Sequence, residues 1–391
     1  MDKKVRFGIV GLGNQGSFYV NLFKDNKVDD GVLTAVCDID PEKIEKFKGV
    51  CGDTVAYFDN ATDMFKSGKI DIALIETPHF IHPDLAIEAM NAGLAVCVEK
   101  PAGVYTKQVE EMLKVADETG KMLGIMFNQR TNPLFRKMKE MIETGVVGEI
   151  KRTSWLITDW YRTQMYYDSG AWRATWAGEG GGVLYNQAPH QLDLFQWILG
   201  MTPSKVRAFC HEGKWHDIEV EDDVTAYLEF PNGATGVFIT STGDAPGTNR
   251  FEVLGTKGKL VCENHTLTFY ANGIDEREFC KTCDQGFKQP PMTELKIQVE
   301  GENTQHRGIL SNLAAAYLGK EKLYADAHDG INGVALANAM HLSSWLGETV
   351  TMPIDGEKYY AELSKRMATS RLKDKVVVKG ASVDMTKTFN T

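Results

Sequence analysis

The chain has 391 residues, 43% hydrophobic and 25% charged, a balance that supports two buried cores and excludes a largely disordered or fibrous protein. With 53 acidic against 43 basic side chains the formal net charge is -10, and no long basic run interrupts it, so the overall field repels polyanions and nucleic acid is excluded as the main partner. No apolar run has the length of a membrane span, the start MDKKVRFGIVGLG does not read as a secretion signal, and seven scattered cysteines read as reduced thiols, so the protein is expected in the cytoplasm.

In chain order, the apolar run at residues 5–10 predicts a strand, GLGNQG a tight turn, and the periodic segment from Ser17 to Phe23 a helix. A strand is predicted from Leu33 to Cys37, a helix from Pro41 to Phe47, a strand from Ile70 to Glu76, and a helix from Pro83 to Ala92. A strand from Ala95 to Val98, a helix from Gln108 to Thr119 and a strand from Met122 to Met126 complete the alternation. Strands alternating with helices predict a doubly wound parallel sheet, the Rossmann arrangement, over residues 1–126.

Residues 127–391 have another character. Strands are predicted at 150–158, 206–210, 224–230, 234–240, 250–255 and 259–263, with few helices between them, which argues for a mostly antiparallel sheet in an α+β domain. Helices from Pro189 to Leu199, Arg307 to Leu318 and Asn332 to Trp345 would cover one face, and Asp284 to Met292 reads as a loop.

The turn Gly11-Leu12-Gly13-Asn14-Gln15-Gly16 fits the dinucleotide fingerprint in its proper context, after a strand and opening a helix. Gly11 permits the tight turn, Gly13 lets backbone approach a pyrophosphate, and Gly16 lets the helix pack on the strand. Asp38, 22 residues beyond Gly16, ends the second strand, where a carboxylate accepts hydrogen bonds from the adenosine ribose and repels a 2′-phosphate; with no arginine following it, NAD is the expected cofactor.

Glu99-Lys100-Pro101, FNQRTNP from Phe127, the block GGGVLYNQAPHQLDLFQWILG from Gly180 to Gly200, FEVLGTKGKL and ANAMHLSSWLG follow one another in an order that resembles the Gfo/Idh/MocA family of sugar and polyol oxidoreductases over nearly the whole chain. The resemblance implies that Lys100 and His190 carry proton transfer and polarise the reacting oxygen, without saying which is the base. It also implicates Thr77, Pro78, His79, His82, Glu99 and Asn128 around the nicotinamide. It further implies a large open sheet whose outer face packs against a neighbouring subunit, giving a homodimer or homotetramer. Many polyol-oxidising relatives have Asp where this chain has Asn186, and an amide cannot replace that carboxylate's charge. Asp193, on the face of His190, is a candidate to orient the imidazole, or else pairs with an arginine.

The stretch from Asp159 to Arg173 mixes aromatic rings with hydrogen-bonding groups, as sugar recognition requires, so Arg162, Tyr166, Trp172 and Arg173 join Asn186, Asp193 and His190 as substrate-side candidates. Together with LYNQAPHQLDL this segment resembles the glucoside-oxidising branch, often acting at the third carbon. The expected activity is therefore hydride transfer between a secondary alcohol of a sugar or glycoside and NAD. The alternatives are an inositol or polyol dehydrogenase, a redox-neutral NAD-dependent glycosidase and a non-catalytic NAD-binding regulator. His79 and His82 lack a third ligand in sequence, so no metal is expected. Cys280 and Cys283 form an isolated C-x-x-C pair with no assigned role.

Overall fold

The computed structural model describes residues 4–371. Six strands, β1 (Val5–Val10), β2 (Gly31–Cys37), β3 (Ala56–Phe58), β4 (Ile72–Ile75), β5 (Ala95–Val98) and β6 (Leu123–Ile125), form a parallel sheet in the order β3-β2-β1-β4-β5-β6. Its central strands are apolar on both faces because helices cover both, so β4 and β5 are buried throughout. The order reverses between β1 and β4, which opens a crevice beyond their carboxyl ends.

Nine strands make the second sheet: β7 (Ile150–Ile157), β8 (Lys205–Glu212), β9 (Glu221–Glu229), β10 (Thr235–Ser241), β11 (Asn249–Gly255), β12 (Gly258–Glu263), β13 (Thr266–Asn272), β14 (Met292–Ile297) and β15 (Val350–Thr351). Their order is β14-β13-β12-β11-β7-β10-β9-β8-β15, antiparallel except for β7 beside β10. One face packs under the helices Pro189–Leu199 and Ala327–Leu346, around Trp155, Phe195, Phe238 and Phe251. The Trp155 and Phe251 rings stack at 4.3 Å, nearly parallel. The other face carries Phe209, Tyr227 and neighbouring side chains exposed.

Packing crosses the expected division at residue 126. Ile309, Leu310 and Leu313, on the helix Gln305–Tyr317, belong to the core of the parallel sheet, and the Ile125 N–H donates to the carbonyl of Ala325 at 3.0 Å. The late segment therefore returns to the first sheet and ties the halves together. Strands β3, β13, β14 and β15 lie outside the sequence expectation; β14 is exposed along almost its whole length, so no hydrophobic alternation announces it. The helices Pro133–Glu143 and Gly356–Thr369 were likewise not foreseen, although Asn132 and Asp355 cap them through side-chain oxygens.

Candidate active site

The crevice beyond β1 and β4 widens into a cavity of about 1130 Å³ running from the glycine turn to the second domain. At its nucleotide end, Gly11 has φ +98, and a Cβ there would lie 2.3 Å from the Glu76 carbonyl oxygen. A Cβ on Gly16 would lie 2.0 Å from the Gly11 oxygen, so both positions require glycine to close the turn. Gly13 differs: a Cβ there would meet no protein atom within 4 Å, so its missing side chain leaves room in the cavity instead of relieving packing. The helix Asn14–Lys24 begins there with no side-chain cap and no acidic residue in its first turn, leaving N–H groups and the positive dipole end for an anion.

Asp38 lies at the end of β2 with Oδ2 accepting from the Leu12 N–H at 2.7 Å and from Lys43 Nζ at 3.0 Å, while Oδ1 accepts from the Asp40 N–H at 2.9 Å. Ile39 beside it is 90% exposed and lines the cavity, an apolar surface suited to a purine face. Buried, unpartnered Gln15 Nε2 and Thr77 Oγ1 lie farther along. An open glycine, an uncapped helix start, a carboxylate at the end of the second strand and orphaned polar atoms in one crevice fit a dinucleotide.

Beyond them, Lys100 and His190 line the same cavity, contributed by different domains. Lys100 Nζ donates to the Asn186 carbonyl at 2.8 Å, and burial lowers its pKa against the opposing pull of Glu99 and Glu179. His190 is in the first turn of its helix behind Pro189, and neither ring nitrogen has a protein partner. Burial, then the charge of Lys100, holds its pKa well below the usual histidine value, so the imidazole is neutral. Glu99 faces inward, where Oε1 accepts from the Tyr19 hydroxyl at 2.5 Å and Oε2 from the Lys100 N–H at 2.8 Å. Burial raises the Glu99 pKa and, with Glu99 as neighbour, drives that of Glu76 well above the ordinary range.

The substrate-facing wall comes from the aromatic segment and the glycine-rich block. Tyr166 donates to Asn186 Oδ1 at 2.6 Å and accepts from Arg173 at 2.7 Å and from Gln187 at 3.0 Å. The Arg173 guanidinium lies over the Tyr166 ring at 4.5 Å and the Trp172 ring at 4.9 Å; Arg162 covers the Tyr166 ring at 5.3 Å. Arg162, Tyr166, Trp172, Arg173 and Asn186 all line the cavity.

Two expected site residues are placed elsewhere. Asp193 is buried and grips Arg130 through both oxygens, at 2.6 and 2.9 Å, so it neither orients His190 nor faces the cavity. A charge this deep is held by an opposite charge, and Arg130, 63 residues away, supplies it. Asn128 is fully buried and donates to Gln305 Oε1 at 2.5 Å; the neighbouring Gln129 lines the cavity in its place. His79 and His82 both line the cavity: the His82 ring nitrogens are 2.6 Å from the Thr77 oxygen and 3.0 Å from the Pro101 oxygen, and His79 Nδ1 lies 3.1 Å from the Glu179 oxygen. Sequence reasoning passed over Lys43, Glu76, Glu179 and Gln187, whose partners are brought close only by the fold.

Residues 5–127 match the model of the oxidoreductase family with an NAD-binding Rossmann fold, and residues 135–261 match the GFO/IDH/MocA C-terminal domain. The chain belongs to the Gfo/Idh/MocA family. It is an NAD-binding oxidoreductase whose relatives in this family include inositol 2-dehydrogenase of Rhizobium meliloti, 27% identical over 86% of this chain and 95% of that protein. Myo-inositol 2-dehydrogenase of Thermotoga maritima is 26% identical over 66% of this chain and 75% of its own. Among solved structures, the WlbA dehydrogenase of Bordetella pertussis, in complex with NADH and UDP-GlcNAcA, superposes with a TM-score of 0.75 at 27% identity, over 90% of this chain and 100% of that one. Among the described residues no helix is long and apolar enough to cross a membrane, and no cluster of three or more His, Cys, Asp or Glu side chains could hold a metal ion.

Proposed function

We propose that this protein oxidises a secondary alcohol on the ring of a sugar or glycoside, with the third carbon of a glucoside as the candidate position. The observation that carries the reading is the meeting, in one cavity, of Lys100 and His190 with the Arg173, Tyr166 and Gln187 wall. NAD, when bound, supplies the hydride acceptor. Gly13, Asn14 and Gln15 would hold its pyrophosphate, Asp38 its ribose, and Thr77, Pro78, His79 and Glu99 would flank its nicotinamide end.

An alcohol that loses hydride must also lose its hydroxyl proton, and the charge developing on oxygen needs a cation beside it. His190, kept neutral and unpartnered, takes the proton. Lys100, anchored by the Asn186 carbonyl, stays an ammonium and stabilises that oxygen. Arg173 and Gln187 orient the remaining ring hydroxyls, whose desolvation is costly unless they are paired. The outer face of the nine-stranded sheet, with Phe209 and Tyr227 exposed, supports a homodimer or homotetramer, which sedimentation velocity measures.

Purified protein with NAD should form NADH from methyl glucosides, with product NMR locating the ketone. Formation from free inositols alone would overturn the glycoside assignment. Release of free sugar without net NADH would instead favour the redox-neutral glycosidase.

A further inference from the structure

Asn186 stands where a carboxylate is expected, yet a carboxylate lies within reach. Glu179, 1% exposed, accepts from the side-chain amide of Asn186 through Oε1 and from the Ala174 N–H through Oε2 at 2.6 Å. Arg173 lies 3.9 Å away, and Lys100 is within electrostatic reach.

We infer that Glu179 is a positioning residue that sets the direction of the hydrogen-bond chain Glu179–Asn186–Tyr166 and provides, one residue deeper, the negative charge that Asn186 lacks. Burial raises the Glu179 pKa, and the Arg173 charge, the Ala174 N–H, the Asn186 amide and the Lys100 charge oppose that rise and favour Glu179 as the acceptor. Asn186 must therefore present Nδ2 to Glu179 and Oδ1 to Tyr166, and Gln187 Nε2, 3.0 Å from that same Oδ1, is consistent with the same orientation. The Tyr166 proton is then committed to Asn186, and the phenolic oxygen accepts from Arg173 and Gln187. Arg173 and Gln187 line the cavity, and their Nε and Oε1, buried and without protein partners, are left as one donor and one acceptor, a pair that matches two neighbouring hydroxyls of a sugar.

The second consequence is electrostatic. The groups acting on Lys100 are the carboxylates Glu76, Glu99 and Glu179 and the cation Arg173; it in turn acts on His79, His82, His190 and His306. Removing the Glu179 charge leaves Arg173 less opposed and lowers the Lys100 pKa further.

The sugar-diol part of this inference rests on the activity proposed above, whereas the Lys100 part does not. In full-length protein, competitive labelling with acetic anhydride across a pH series, read by mass spectrometry, reports the Lys100 titration with no substrate present. Glu179→Gln should move that titration to lower pH by about half a unit or more; an unmoved titration overturns the electrostatic role. If the glycoside activity is found, Asn186→Asp should lose at least about tenfold in kcat/KM, because it sets a carboxylate against Glu179. The double variant Glu179→Gln with Asn186→Asp reverses the bond between 179 and 186, the new amide donating to the new carboxylate, but keeps residue 186 an acceptor for Tyr166 and Gln187 and should recover most of that loss. A double variant no better than Asn186→Asp overturns the directional chain. A glycoside panel without turnover overturns the activity while the labelling result stands.

Discussion

Asp38 is proposed to set the choice of NAD over NADP through what it already holds. Its carboxylate accepts from the Leu12 and Asp40 N–H groups and from Lys43, so one anion organises the turn and neutralises the nearest cation. A 2′-phosphate would meet that anion, while Lys43 is occupied by it. Asp38→Ser should release Lys43 and raise the kcat/KM ratio of NADP to NAD by about tenfold or more, as steady-state kinetics with both cofactors would show. An unchanged ratio would mean that Lys43 cannot reach the phosphate. Asp38 was legible in the sequence because strand, turn and spacing announce it. Lys43 was not, because a lysine in the first turns of a helix is ordinarily a solvated residue, and only the folded turn brings it to 3.0 Å from Asp38.

At the scale of elements, the glycine turn separates two functions within six residues. Gly16→Ala drives a Cβ into the Gly11 oxygen and should destabilise the first domain, lowering the thermal midpoint by several degrees. Gly13→Ala meets no protein atom, so the midpoint should hold while NADH binding weakens by about tenfold, measured by fluorescence titration. Equal thermal losses would contradict this division. The helix Pro189–Leu199 carries His190 to the cavity, and Asp193 fastens it to Arg130 behind. Asp193→Ala leaves a buried guanidinium short of its main partner, with Asp329 still 2.9 Å away, and should cost about 3 kcal/mol in denaturant unfolding. A cost near zero would remove Asp193 from the scaffold. The position of this helix was legible from its proline and its apolar pattern. An arginine partner is one of the two sequence readings of Asp193, but Arg130 itself was not legible, because 63 residues separate partners that share no local motif.

At the scale of the molecule, the proposed hydride site is a seam. β1, β4 and β5 deliver the glycine turn, Thr77 and Lys100 from one side, and the glycine-rich block delivers Asn186, Gln187 and His190 from the other. Residues 305–334 lock the seam by returning to the first core, which makes the cavity a property of the whole chain and not of either half. The two-sheet architecture was readable because buried parallel strands and alternating antiparallel strands leave different apolar patterns. Exposed β14 and the return of the late helix left none, since an edge strand needs no apolar face and a docking helix looks the same in either domain.

The central claim is that hydride leaves a secondary ring carbon for the nicotinamide beside Lys100 and His190, and isotope transfer tests it most directly. Methyl glucoside deuterated at the third carbon, incubated with the protein and NAD, should yield deuterated NADH, formed more slowly than with unlabelled sugar, and Lys100→Met should abolish the reaction. NADH formed without deuterium would refute the assigned carbon, and full activity in Lys100→Met would refute the site.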